Sequence, residues 1–257
     1  LPAGLEPAAG ATIPICFATA YHALCRVGQM QPGERVLIHS ATGGVGSAAI
    51  QIARHLGVEI FATAGSSAKR GSLASQGIRQ VMDSRSLDFA DEIMAATGGE
   101  GVDLVLNSLT GEAIGKGLSV LRPGGRFIEL GKTDLWDQER VDQIAPGVRF
   151  HAIALDDMMA TDPEDVGELL DAVAERFADG TFRPLDRRVF KIRCLVDAFR
   201  HMARAEHLGK VLIEAEAPAD DDPPEFSPCP DGTYLLTGGL GGLGLRLAEW
   251  LVDAGAR

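Results

Sequence analysis

Short apolar runs recur along the chain, and stretches of helical period separate them. Residues 36–38, 59–64, 80–82, 102–106 and 126–130 predict strands, because apolar and β-branched residues cluster there between turn signals. Residues 18–27, 47–54, 89–96 and 111–121 have apolar positions three and four apart and predict helices. The run at 102–106, Val-Asp-Leu-Val-Leu, is almost wholly apolar, as a parallel strand covered on both faces should be. Strands alternating with helices at this spacing predict an α/β fold with a doubly wound, right-handed parallel sheet, the Rossmann arrangement. Farther on the pattern predicts a strand at 148–155, an amphipathic helix at 163–178, an extended segment at 181–185, a helix at 195–205 and a final strand at 207–213.

The first strand–helix junction carries the chemistry. Between residues 36–38 and 47–54 lies Ala41-Thr42-Gly43-Gly44-Val45-Gly46. A strand, a glycine turn and a helix N-terminus cradle a pyrophosphate, because bare backbone N–H groups approach the anion and the helix dipole favours it. Against G-x-G-x-x-G the chain reads Ala41, Gly43, Gly46, with alanine at the first glycine position.

The end of the second strand reports on the cofactor. An NAD site places an acid about 20 residues past the glycines, to hold the ribose 2′-hydroxyl. Here Gly65-Ser66-Ser67-Ala68-Lys69-Arg70 has no acid, and hydroxyls with two cations suit a 2′-phosphate. The reading is NADPH over NADH, although Ser66 or Ser67 also reads as an ordinary helix N-cap.

Composition narrows the class. A net charge of −12 argues against nucleic acid or an anionic membrane as partner, and no run of the ~18 apolar residues that a spanning helix needs is evident. Cys16, Cys25, Cys194 and Cys229 have no ligand-like spacing, so neither a metal site nor a disulfide frame is predicted, and a cytoplasmic location follows. Residues 216–231 hold six acids, no base and five prolines, the composition of an extended linker. Beyond it, residues 232–237 predict a strand entering a second glycine turn, Gly238 to Gly244, and a helix at 245–254: a partial second Rossmann unit. The expected domains are 1–215, a linker at 216–231, and 232–257. The chain opens without an initiator methionine and stops just after that helix, which reads as an excised piece of something longer.

Six motifs together carry a resemblance: TAYHAL (19–24), GERVLIHSATGGVGSAAIQIAR (33–54), DSR (83–85), GVDLVLNSLTGE (101–112), LRPGGRFIELGKTD (121–134) and HLGKVLI (207–213). Residues 1–215 resemble the enoyl reductase domain of a modular polyketide synthase or animal-type fatty acid synthase. That domain belongs to the zinc-independent, quinone-reductase-like branch of the medium-chain dehydrogenase/reductases. Residues 232–257 resemble the start of a ketoreductase domain of short-chain dehydrogenase type.

The resemblance implies NADPH-dependent reduction of the 2,3 double bond of a trans-2-enoyl thioester on an acyl carrier protein, beside ketoreductase and dehydratase domains. Analogy extends to a homodimer. Lys132 matches the family's lysine that protonates the α-carbon. Thr42, Gly43, Gly44, Val45 and Gly46 should line the pyrophosphate, and Ser66, Lys69 and Arg70 should meet the 2′-phosphate. Arg85 should lie near the adenosine end. Asn107, Leu109, Leu130 and Gly131 should lie against the nicotinamide ribose, Gly209 and Lys210 near the nicotinamide half, with Thr19 a weaker candidate there. One departure stands out: where relatives often have an aspartate this chain has Ala154, so any carboxylate assistance is absent or shifted to Asp156 or Asp157. The family's domain begins with a GroES-like substrate-side part that should precede Leu1, and residues 180–215 should return to pack on it. Weak NADPH binding and poor turnover are therefore expected of this piece alone. The competing readings are a stand-alone NADPH quinone oxidoreductase and a catalytically silent reductase domain within a synthase.

Overall fold

The apolar runs pair in parallel. A computed structural model of the chain describes residues 5–134, 136–215, 229, 232–236 and 241–256. Strands β1 (Arg35–Ile38), β2 (Glu59–Ala64), β3 (Gln80–Asp83), β4 (Val102–Asn107), β5 (Leu121–Glu129) and β6 (Arg149–Ala152) form one sheet in the order β3-β2-β1-β4-β5-β6. Every pairing in it is parallel. Strand order reverses between β1 and β4, which opens a crevice at their carboxyl ends.

The helices are α1 (Pro7–Gly10), α2 (Pro14–Tyr21), α3 (Gly44–Leu56), α4 (Ser67–Ser75), α5 (Phe89–Ala96), α6 (Glu112–Ser119), α7 (Gln138–Ile144), α8 (Leu155–Thr161), α9 (Pro163–Ala178), α10 (Leu195–Ala203) and α11 (Gly242–Asp253). Each sheet face has its own core, because side chains alternate along a strand. Val36, Ile38 and Leu104 pack with Phe17, Leu24 and Ile52 on one side. Leu37, Phe61 and Val105 pack with Phe89, Ile93 and Phe127 on the other. Each large apolar side chain so buried contributes roughly 1.5–3 kcal/mol. Helix α3 ends where Gly57 turns left-handed at φ 69°. The amino edge of the sheet is closed by charge: Arg126 grips Glu34 with two bonds of 2.9 and 2.7 Å.

The structure corrects several expectations. The first long helix begins at Pro14, with proline pre-set for the first turn, and continues as a π-helical turn over His22–Val27. Residues Pro7–Val27 are long and apolar enough to cross a membrane by length and composition, contrary to the sequence reading. Phe17, Ala18, Ala20, Ala23 and Leu24 in it are wholly buried, which is how a core helix comes to pass that test. Strand β5 starts five residues early because Leu121 already pairs with Val102 ahead of a register shift. The strand expected over 148–155 stops at Ala152, and Leu155 opens α8 instead. The last strand, β8 (Lys210–Glu214), pairs in parallel with β7 (Arg187–Lys191), a strand the sequence reading did not foresee. Helices α7 and α8 were not foreseen; Asp137 caps α7 by accepting from Arg140 N at 2.8 Å.

The chain divides into two units, Leu1–Glu214 and Ala215–Arg257. In the second, the strand predicted over 232–237 does not form among the described residues 232–236; a lone strand has no ladder partner there. Helix α11 is present and begins at Gly242, three residues before the predicted start. The proposed linker and the turn residues 237–240 lie outside the described residues, apart from Cys229.

Candidate active site

Strand β1 delivers His39 and Ser40 to the carboxyl edge. Ser40 takes a left-handed φ of 50°, which swings the chain into the turn. Ala41 is not left-handed, so alanine fits where the fingerprint has its first glycine. Gly46 is obligatory. A Cβ there would stand 2.6 Å from Ala41 Cα and 2.6 Å from Ser40 O, and both are backbone atoms that cannot yield. Gly46→Ala should cost about 1–3 kcal/mol of stability and splay the turn, read by thermal melting together with nucleotide titration. Gly43 is the N-cap of α3, no side chain bonds the first N–H groups, and the first turn holds no acid. Those free donors at a positive helix end fit a phosphate.

Beside this turn lies a cleft of about 280 Å³ lined by Ser40, Thr42, Gly43, Ala64, Gly65, Ser66, Lys69, Ser84, Arg85, Ala205 and His207. Ser66 caps α4, its Oγ accepting from Lys69 N at 3.3 Å. Gly65 lets Arg85 close in: a Cβ would meet its Nε at 3.2 Å and Ser84 Oγ at 3.4 Å. Among the described residues neither the Lys69 ammonium nor the Arg85 guanidinium has a hydrogen-bond or ion-pair partner. Burial, with Arg85 nearby, pushes the Lys69 pKa down. Two cations with no acid partner among the described residues, beside two hydroxyls, give the cleft a lining whose chemistry suits an anion.

The Asp83 carboxylate, next to Ser84 and Arg85, is already engaged. Asp83 Oδ2 is held by Arg70 Nη1 at 2.7 Å, and Asp83 Oδ1 accepts from Arg85 N at 2.9 Å. Arg70 also donates to Ala64 O at 3.2 Å and does not line the cleft. Its guanidinium pairs with Asp83 and so ties β2 to β3.

Gly209 and Lys210 sit against the phosphate turn. Gly209 N donates to Thr42 O at 2.8 Å, and Gly209 bridges Gly43 in parallel. At φ 61° a Cβ on Gly209 would lie 1.9 Å from Asp186 O, so only glycine fits. The Lys210 stem passes beside Gly44, where an added Cβ would meet its Cδ at 2.9 Å and Cys16 Sγ at 2.6 Å. Thr19 spends its hydroxyl on Ile15 O at 2.7 Å.

On β4, next to β1 in the sheet, Asn107 is fully buried and its amide is committed. It donates to Leu109 O at 2.7 Å and to Glu129 Oε2 at 2.5 Å, and accepts from Leu109 N at 3.2 Å. Asn107 therefore shapes the Leu109 backbone and has no free donor for a ribose. Glu129 accepts also from Gly131 N at 2.6 Å, linking the loops after β4 and β5. Burial raises its pKa, which these bonds partly offset. Lys132 leaves the same loop and pairs with Asp156 at the start of α8; both are mostly exposed. That pairing raises the Lys132 pKa and lowers that of Asp156. Among the described residues no cluster of three His, Cys, Asp or Glu could hold a metal.

Residues 76–213 match the family described as zinc-binding dehydrogenase, and residues 232–257 match the KR domain. The whole chain is 46% identical to a phenolphthiocerol/phthiocerol polyketide synthase of Mycobacterium tuberculosis, of which it spans 12%. The CurK enoyl reductase is 44% identical, with a TM-score of 0.80 over 84% of this chain and 65% of that one. The nucleotide-binding subdomain of the enoylreductase domain of PpsC from Mycobacterium tuberculosis is 49% identical, with a TM-score of 0.63; the match takes in 67% of this chain and 97% of that one. The chain belongs to the enoyl reductase domains of modular polyketide synthases, followed by the start of a ketoreductase domain.

An enoyl reductase with a nucleotide-binding Rossmann sheet uses a nicotinamide cofactor, and the uncapped α3 with its cationic cleft suits one. The zinc in the matched family's description has no ligand set among this reductase's described residues. Ser40, Ser84, Glu129 and His207 escaped sequence reasoning. Serine and histidine in loops carry no period, and Glu129 lies inside a strand that reads as core.

Proposed function

We propose that this chain is the cofactor half of an NADPH-dependent enoyl reductase, acting on the 2,3 double bond of a trans-2-enoyl thioester carried by an acyl carrier protein. The observation that carries the NADPH assignment is the cleft in which Lys69 and Arg85 stand without acids beside Ser66 and Ser84, with Asp83 neutralised by Arg70. Four free cysteines agree with a cytoplasmic synthase.

NADPH, when bound, supplies the hydride that reduces the β-carbon. The protein's part is to hold it and to manage the charge and proton that follow. The N-terminus of α3 takes the pyrophosphate, and Lys69, Arg85 and the two serines take the 2′-phosphate. Glu129, through Asn107 and Gly131, holds the loops after β4 and β5. Lys132 offers its ammonium to the negative charge that develops on the thioester oxygen and gives a proton to the α-carbon. Asp156 orients it, taking the place that Ala154 leaves without a carboxylate.

Titrating NADPH and NADH by nicotinamide fluorescence tests the cofactor assignment; equal affinity for the two would end it. In the whole synthase, Lys132→Met should lower kcat on an enoyl thioester about 100-fold with NADPH affinity intact. Asp156→Asn removes the partner that raises the Lys132 pKa, so the alkaline limb of the rate profile should move to lower pH. An unmoved limb would separate Asp156 from the proton step.

A further inference from the structure

His207 lies where neither the glycine turn nor the cation pair needs it. It lines the cleft with Lys69, Arg85, Ser66 and Ser84, yet its Nδ1 is buried and makes no hydrogen bond. A buried nitrogen orphaned in this way is costly until a partner arrives. Two of the groups around it are cations, Lys69 from α4 and Lys210 from β8, and the His201 ring from α10 lies 6.3 Å away, centroid to centroid. Arg85 shares the cleft from the loop after β3. Glu206, its neighbour in the chain, is engaged by His201 Nδ1 at 3.3 Å. Burial, followed by those cations, holds the His207 pKa below its ordinary value, so the ring is neutral at pH 7 before anything binds.

The segment is also held firmly against the cradle. Two residues on, Gly209 N donates to Thr42 O at 2.8 Å, and Gly209 admits no other side chain. His207 therefore cannot drift away from the phosphate turn without breaking that bridge.

We propose that His207 is a third ligand of the cofactor's 2′-phosphate, becoming an imidazolium as the phosphate enters the cleft. The inference rests on the NADPH assignment above and adds a proton to it. An arriving dianion offsets the charge of Lys69 and Arg85 and offers the His207 ring an acceptor at the cleft wall. Both changes favour the protonated ring, so binding of a 2′-phosphorylated nucleotide takes up a proton, whereas binding of its unphosphorylated counterpart does not. The cleft reads the phosphate by charge twice, once with fixed cations and once with an induced one.

The test uses 2′,5′-ADP and 5′-AMP as probes of this chain, with calorimetric titration at pH 7 in two buffers of different ionisation enthalpy to count protons. Wild-type protein should take up about half a proton or more with 2′,5′-ADP than with 5′-AMP. His207→Gln should lose that uptake and bind 2′,5′-ADP roughly 10-fold more weakly, with 5′-AMP affinity unchanged as proof of an intact cleft. His207→Lys, which carries its charge permanently, should keep the affinity and lose the uptake. Equal proton counts and affinities in wild type and His207→Gln would overturn the assignment of His207 alone, provided Lys69→Ala still loses 2′,5′-ADP. No preference for 2′,5′-ADP over 5′-AMP in wild type would overturn both the NADPH reading and this one.

Discussion

Replacing Lys69 and Arg85 together by alanine should raise the NADPH dissociation constant at least about 100-fold and leave that of NADH nearly unaltered. Among the described residues neither cation has an acid partner, so neither must break an ion pair there to meet a phosphate. A charge-assisted hydrogen bond is worth about 1.5–3 kcal/mol, and two such contacts give roughly two to four decades in affinity. Arg70→Ala should behave differently. Its loss frees the Asp83 carboxylate beside the cleft, weakening NADPH binding by repulsion and stability by the broken β2–β3 tie. Nicotinamide fluorescence with both cofactors, together with melting curves, separates the two effects. Equal losses for NADPH and NADH in the double variant would place these cations outside the 2′-phosphate site.

Acid should unfold the first unit through His39. This ring is fully buried between β1 and α5, its Nδ1 shares a 2.9 Å hydrogen bond with Thr63 Oγ1, and it meets Phe89 edge-on at 4.9 Å. Burial pushes its pKa down to about 3, against an ordinary value of about 6.5. Above pH 6.5 the ring is neutral folded or unfolded and contributes no pH dependence. Below that the unfolded chain takes a proton that the folded one refuses, so stability falls by about 1.4 kcal/mol per pH unit until pH 3. A neutral replacement, His39→Asn, should be less stable at pH 7 for lost packing yet show a shallower acid slope. Denaturant unfolding at pH 7, 6 and 5 measures both; parallel slopes in the two proteins would acquit His39.

Much of this site could be read from the chain. The glycine turn, the missing acid after β2 and Lys69 are local features, set by which backbone conformations and charges a short segment permits. Gly46 and Gly209 go further, since contacts decide them: one faces its own turn, the other Asp186, which is 23 residues earlier. The sequence reading put Arg70 with Lys69 at the 2′-phosphate and Arg85 at the adenosine end. Only folding assigned Arg70 to Asp83 and left Arg85 open, because β2 and β3 bring their carboxyl ends together. Likewise Asn107 reads as a polar ligand at a strand end, until burial and three hydrogen bonds commit it to its own loop and to Glu129.

The sequence by itself determined the alternation of strands and helices, the parallel sheet and the phosphate turn. Periodicity and glycine placement act over a few residues and need no distant partner. Tertiary structure alone decided which charges pair. It joined Lys132 to Asp156, Arg70 to Asp83 and His207 to the Lys69 cleft, because an ion pair depends on distances that the sheet order sets and no local pattern records.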